Sequence, residues 1–167
     1  MTKKVEKRAT SPRPRRAGLT APPPGARFVP DYISATQVRA TAEELDAVQV
    51  FARRLVEDYG YSKSQIQTHP QYRVRVRPSD EDKSYPVDIA VFRSSKKTED
   101  ELFMVVECKK QERRDGEHQL RLYMDMSAAE IGVWFNGRSC QSVWKSVQAA
   151  ALPFVREGRI PSTYVAP

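Results

Sequence analysis

Two cysteines, Cys108 and Cys140, and two histidines, His69 and His118, are all that the 167 residues contain. Two cysteines cannot build a disulfide framework and fit a reducing compartment, so a cytoplasmic location is expected. So few Cys and His also argue against a zinc site. No apolar run approaches the roughly 20 residues that a helix needs to cross a bilayer. No charged, then apolar, then small-residue leader opens the sequence, so neither secretion nor a membrane partner is expected. No GxxxxGK[ST] phosphate loop occurs, so no ATPase motor is expected in this chain.

The charge that is present is unevenly placed. The net charge is +7, from 28 Lys/Arg against 21 Asp/Glu. Residues 1–30 hold eight of those bases, one acid and six of the twelve prolines, so the remainder is neutral with 20 of each sign. A segment of that composition cannot bury enough apolar surface to offset the ordering of its backbone. Residues 1–30 are therefore expected to be a disordered basic arm, 31–156 a folded domain and 157–167 a trailing linker. A basic arm beside a neutral domain suggests a polyanionic partner, usually nucleic acid, although a plain linker would carry the same residues.

Thr41-Ala42-Glu43-Glu44 reads as a capping box, with Leu45, Val48, Ala52, Leu55, Val56 and Tyr59 at helical spacing behind it and Gly60 at the C-cap. This predicts an amphipathic helix over 42–59. Tyr72–Arg77 alternates strictly and predicts a strand with Arg73, Arg75 and Arg77 on one face. Those arginines can follow a phosphate backbone or simply be a solvated face. Further strands are predicted at 87–92, 102–106 and 131–135, and a second helix over 115–129. Asn136-Gly137 is a hairpin signal, so a strand near 139–144 is expected to pair back. A short helix is expected over 146–156. The order α-β-β-β-α-β-β predicts an α/β fold, a mixed sheet flanked by helices.

Three ionisable residues interrupt the most apolar stretches: Asp88 between Val87 and Ile89, and Glu107 and Lys109 at the end of Leu102–Val106. The two-residue period puts Glu107 and Lys109 on one face, and Asp88 on the adjoining strand can meet them. Buried charges must pair or hold a metal. Two carboxylates suit Mg²⁺, a hard ion that binds through one or two of them plus waters and a phosphate oxygen. A lysine beside them can hold a water or developing negative charge. The residues alone also permit Asp88 in solvent at a hairpin end and Glu107–Lys109 as a surface pair.

Pro86-Val87-Asp88, then Glu107-Cys108-Lys109 after 19 residues, resembles the PD-(D/E)XK nuclease superfamily, and more closely the N-terminal nuclease domain of the type I restriction enzyme R subunit. Phe51–Tyr61, Tyr85–Phe92, Val105–Lys110, Gln119–Tyr123 and Gly132–Gly137 carry the likeness in order, over about residues 40–137. The resemblance implies a restriction-endonuclease-like αβββαββ core and a Mg²⁺-dependent DNA endonuclease acting through metal-activated water, with Mn²⁺ able to substitute. Asp88, Glu107 and the Cys108 backbone carbonyl would ligate the metal, Lys109 would stabilise the transition state, and Glu44 would complete the metal environment. Gln119 and Tyr123 match a Gln-x-x-x-Tyr motif thought to face DNA, and share a helix face. Gln49 is the one retained part of that family's first-helix pattern. Other restriction-system subunits or a helicase motor are implied as partners. The same fold used as a DNA- or partner-binding module, with weak or absent cleavage, is the alternative. Trp134 and Trp144 are expected in the core, and His69 and His118 at the surface.

Overall fold

The computed structural model describes residues 25–75 and 83–145, together with the backbone of residues 154–157. Its strands are β1 (Phe28–Pro30), β2 (Gln37–Arg39), β3 (Ile66–Gln67), β4 (Tyr72–Arg75), β5 (Ser84–Val87), β6 (Ile89–Phe92), β7 (Leu102–Cys108), β8 (Ile131–Phe135), β9 (Cys140–Lys145) and β10 (Phe154–Glu157). The helices are α1 (Gln49–Glu57), entered through a π-helical turn at Glu44–Val48, and α2 (Glu117–Asp125). A six-stranded mixed sheet in the order β10-β9-β8-β7-β6-β3 carries the fold, with two-stranded sheets β1-β2 and β4-β5 beside it. The expected α/β class, a mixed central sheet with helices, is what the structure has.

β7 lies at the heart of the sheet because it offers nothing polar until its end. All seven of its residues are buried. It pairs antiparallel with β6 and parallel with β8, the crossover to β8 passing through α2. Both faces are therefore covered, as such apolar runs require. One face packs on Ala47, Phe51, Ala52 and Leu55 of the first helix. The other packs on Leu120, Tyr123 and Met124 of α2, with Trp134 beside them.

Several expectations shift. The strand predicted over 87–92 is two strands, β5 and β6, broken at Asp88. β5 pairs with β4, and Pro86, which lacks an N–H, sits on the side without a further partner. β6 leaves that hairpin for the main sheet. Leu45, expected in the core, is 43% exposed. The Gln49 N–H bonds back to Glu44 O, five residues away, and this wider turn rotates the apolar stripe onto Ala47 and Phe51. α2 is shorter than predicted. The helix expected over 146–156 is wrong for 154–156, which belong to β10 and pair with β9; residues 146–153 lie outside the described residues. The arm expected over 1–30 is corrected at its end, because Phe28–Pro30 pairs with Gln37–Arg39; residues 1–24 are outside the described set. Glu157 of the expected linker closes β10, and 158–167 are likewise outside.

Gly132 marks where α2 meets the sheet. A Cβ there would lie 2.3 Å from Met124 Sδ and 3.1 Å from Leu120 Cγ. Gly132→Val is expected to destabilise the fold by about 1–3 kcal/mol through overpacking, read as a lower urea midpoint. An unchanged midpoint would mean that α2 is not tightly seated on β8.

Candidate functional site

Asp88 occupies the break between two sheets, where neither ladder uses its side chain. Its Oδ2 accepts the Cys108 backbone N–H at 2.7 Å, and Gln71 Nε2 reaches Oδ1 at 3.3 Å. That first bond ties Asp88 to the end of β7, where Glu107 is only 2% exposed. Glu107 Oε1 accepts from the Lys109 ammonium. The three residues expected to converge, Asp88, Glu107 and Lys109, are thus brought together at one end of the sheet, and the solvent-exposed reading of each is excluded.

The electrostatics follow from burial. Asp88 is pushed up to about 6, first by desolvation and then by Glu43 and Glu44, against the pull of the Cys108 N–H and Lys109. Glu107 is pushed up to about 7, first by desolvation and next by the Asp88 charge, with Lys109 opposing. Lys109 loses hydration, which would lower its pKa, but Glu107 and Asp88 raise it overall, so it stays an ammonium. The Cys108 thiol is fully buried and driven well above its ordinary value, which excludes it as a nucleophile at neutral pH.

Room for Lys109 is made by Gly116, whose φ of +105° belongs to the left-handed side of the map. A Cβ at Gly116 would come within 2.8 Å of Lys109 Cε and 3.3 Å of Glu107 Cγ. Trp134 is buried as expected, and its indole N–H donates to Asp115 O at 2.8 Å in the same segment. On α2, Tyr123 is fully buried; its hydroxyl donates to Pro86 O at 3.1 Å and meets the Gln119 amide. Tyr123 therefore braces the strand that delivers Asp88 instead of facing solvent, and Gln119 is the exposed member of that pair. Arg73 and Arg75 are exposed on β4, and Arg73 uses two of its five N–H donors across the hairpin on Ser84, at 2.7 Å to its hydroxyl and 2.6 Å to its carbonyl. Arg77 lies outside the described residues.

Glu44 belongs to a second cluster that the sequence did not disclose. Gln49 Nε2 donates at 2.7 Å to both Glu44 Oε1 and Asp31 Oδ1, while Gln49 Oε1 accepts the Tyr32 N–H at 2.8 Å. Asp31 Oδ2 also accepts from Thr68 Oγ1 at 2.6 Å and from the Ser34 N–H and hydroxyl. Burial would raise Asp31, but these donors hold it below its ordinary value. His69, expected at the surface, lies 3.2 Å from Glu44 Oε1 and is raised chiefly by that bond, with Asp31 and Asp88 adding to it. His118 is exposed as expected. Ligand atoms of Asp31, Glu44 and His69 lie within 4.8 Å of one another. Gln49, Thr68 and Ser34 already donate to both Asp31 oxygens, and Gln49 also to Glu44 Oε1, so the cluster works as a polar clamp holding Glu44 at the edge of the site. Thr41 caps the helix through the Glu44 N–H at 3.1 Å, but the reciprocal Glu44 side-chain bond of a capping box is replaced by the one to Gln49. Glu43, which raises both Asp88 and Glu107, is the acid that the sequence reading missed. Its only signal was adjacency to Glu44. Asp31 had only the Asx-type spacing to Ser34.

The raised carboxylates fix the sign of a pH effect. Between about pH 4 and 7 the unfolded chain has ionised Asp88 and Glu107 while the folded chain retains their protons. Folding then takes up protons, so stability falls as pH rises through that window. In EDTA, Asp88→Asn keeps an oxygen for the Cys108 N–H and removes one charge. It is expected to match wild type near pH 4.5 and to exceed it at pH 8 by an amount on the order of 1–3 kcal/mol, read from urea midpoints. A variant several kcal/mol less stable at pH 8 would show a stabilising ion pair in place of a repulsive carboxylate pair.

Among the described residues no helix is long and apolar enough to cross a membrane. No curated protein and no solved structure gives a significant match to the chain. The family model of the type I restriction enzyme R protein N terminus matches residues 43–157, a span that runs from Glu43 through the Asp88–Glu107–Lys109 site to the last residue of β10. With most of its length matched, the chain belongs to the family of type I restriction enzyme R protein N termini.

Proposed function

We propose that this chain is a Mg²⁺-dependent DNA endonuclease domain of restriction type, built as a PD-(D/E)XK nuclease. The observation that carries the reading is the buried carboxylate pair of Asp88 and Glu107 at one sheet end, with Lys109 against it. The family supports a restriction nuclease-like role with DNA and other restriction-system subunits as partners, and a helicase motor is proposed among them.

The residues fit a hard divalent cation. Asp88 and Glu107 offer carboxylate oxygens, among the described residues Asp88 accepts from one backbone N–H and a long amide contact, and burial raises both acids, with the Asp88 charge raising Glu107 further. Carboxylates that cannot comfortably both ionise are relieved by a cation between them. Asp88 and Glu107 would hold the ion, together with the Cys108 carbonyl, and Glu44 or Glu43 would add negative charge from the first helix. Such an ion supplies a more acidic water and neutralises charge on a phosphodiester, and Mn²⁺ would serve in its place. Lys109 carries three N–H donors, of which Glu107 takes one, leaving others for an anionic oxygen beside the carboxylates. Gly116 leaves the lysine stem its path. Gln119, Arg73, Arg75 and Arg77 are proposed to meet DNA around the site, with Tyr123 supporting Gln119 from behind.

Supercoiled plasmid is expected to be nicked with Mg²⁺ and not in EDTA. Asp88→Ala, Glu107→Ala and Lys109→Ala are each expected to cost at least about 100-fold, the scale of losing one charge-stabilising group in a site. Mg²⁺ is expected to raise the wild-type melting temperature and to leave Asp88→Asn unmoved, because the ion binds only the folded site. Full activity in EDTA or in Asp88→Ala would end the reading. DNA binding with no cleavage under any divalent ion would favour the binding-module alternative.

A second prediction concerns Gly116. Gly116→Ala adds a methyl against Lys109 Cε in a backbone region that alanine resists, so cleavage is expected to fall by about tenfold or more, in the way small misplacements at a site do. Magnesium-induced stabilisation should persist, because Asp88 and Glu107 are retained. Unchanged cleavage would mean that the Lys109 stem finds an equivalent path.

A further inference from the structure

The edge of the six-stranded sheet at β3 borders a cavity of about 320 Å³ lined by Ser34, Lys63, Gln67, Thr68, His69 and Lys97 among others, with no carboxylate in its wall. This is unexpected in a domain whose bases and acids balance outside the first thirty residues. Both ammonium groups are positioned by the fold. Lys63 Nζ donates to Tyr32 O at 2.7 Å and sits 3.7 Å from the centre of the Tyr32 ring. Lys97, at a φ of +55°, donates to Ile66 O at 2.6 Å. Each contact closes a span of 31 residues, so neither side chain is a freely swinging surface lysine. One carbonyl accepts one of three N–H donors, and among the described residues neither lysine pairs with a carboxylate. Burial lowers the Lys97 pKa, the mark of a cation partly stripped of water without a counter-charge.

The cavity also points at the site. Gln67 faces Ala90 in the β3–β6 register, so the chain beyond Gln67 runs back toward Asp88. His69 both lines the cavity and touches Glu44. The cavity thus begins at the clamp beside the carboxylates and follows the sheet edge away from them. Its two fixed ammoniums, each with N–H donors to spare, are the chemistry of a site for a phosphodiester anion, while the Ser34 and Thr68 hydroxyls are turned to Asp31.

We propose that this cavity holds a backbone phosphate of the DNA strand whose neighbouring phosphodiester is presented to Asp88, Glu107 and Lys109, and that Lys63 and Lys97 are its ligands. The proposal rests on the nuclease reading for the identity of the strand, and its test is made separable from that reading. Lys63→Met and Lys97→Met keep the aliphatic stems and remove the charges. Binding of a fluorescent duplex to the full chain is measured in EDTA over a series of salt concentrations, with melting temperatures confirming that each variant is folded. The double variant is expected to lower the slope of log K against log salt by about 0.9, one phosphate's worth, and to weaken binding by roughly tenfold at about 0.1 M salt. The Lys→Arg double variant should restore both. Lys96→Met, the same charge change one residue away and outside the cavity wall, should leave the slope unchanged. In Mg²⁺, plasmid nicking by the Lys→Met double variant should show a raised KM with kcat retained.

An unchanged slope in the double variant, an equal drop in Lys96→Met, or no DNA binding by wild type would overturn the proposal. Nicking by wild type together with an unchanged slope would fail the cavity and keep the nuclease. A slope drop confined to Lys63 and Lys97 without nicking would keep the cavity as a DNA site and fail the nuclease.

Discussion

The burial of two carboxylates, Asp88 and Glu107, at one sheet end is the constraint around which the rest of the structure is arranged. A sheet end that buries two acids needs something to hold each one, and the structure supplies a different device for each. Asp88 is held by a backbone N–H of the neighbouring strand, a donor that cannot move without breaking β7. Glu107 is held by Lys109, whose stem passes where Gly116 has no side chain. The break of the ladder at Asp88 is itself maintained from outside, since the Tyr123 hydroxyl grips the Pro86 carbonyl two residues before it. The helix that follows β7 in sequence thus returns to fix the strand that precedes β6, and the acid pair is built into the topology of the sheet.

The first helix meets the same constraint from the other side. Its π turn brings Gln49 over Glu44, an i,i+5 pair that a regular α-helix would set well apart around its axis. Gln49 can then bridge Glu44 and Asp31 with one amide nitrogen while its oxygen takes the Tyr32 N–H. A flipped amide would face Glu44 and Asp31 with its oxygen and lose all three partners, so Gln49 is locked and Glu44 with it. π turns of this kind gather at functional sites because they reorient side chains at a small cost in helix regularity. Here the turn explains both the exposed Leu45 and the position of an acid beside the candidate centre.

Legibility in the sequence followed the range of the interaction that decides each feature. β7, β8, β9 and α2 were readable because apolar runs, a helical period and Asn136-Gly137 are local signals. Asp88, Glu107 and Lys109 were readable because charges inside apolar strands conflict with their surroundings wherever the strands go. The split at Asp88 was not, since Val87–Phe92 reads as one strand and only the separate demands of β4 and β7 divide it. β1 and β2 are three residues each, and β1 lies in the stretch that composition assigned to the arm. The clamp of Asp31, Gln49, Thr68 and His69 was invisible because its members come from three separate segments and none conflicts with its own neighbours in sequence. Tyr123 was found by its spacing to Gln119, but spacing could not say that its ring is buried and its hydroxyl turned toward Pro86.

The distribution of charge then has a consequence for how a polyanion can be accommodated. A phosphodiester brought to Asp88 and Glu107 meets a region made negative by those two acids, with Glu43 and Glu44 on the adjoining helix turn. Attraction for the strand therefore cannot originate at the carboxylates; it must come from a cation placed between them or from positive groups displaced to the side. Lys63 and Lys97 provide the second along the edge strand, and His69 stands between the two regions with its charge favoured by both Glu44 and Asp88. A domain that is neutral in sum can in this way separate the work of holding an anion from the work of acting on one. That separation is a reason for Lys63 and Lys97 to be fixed by the Tyr32 and Ile66 carbonyls beside the edge strand while the acids are fixed at the sheet end by the Cys108 N–H and the Lys109 ammonium.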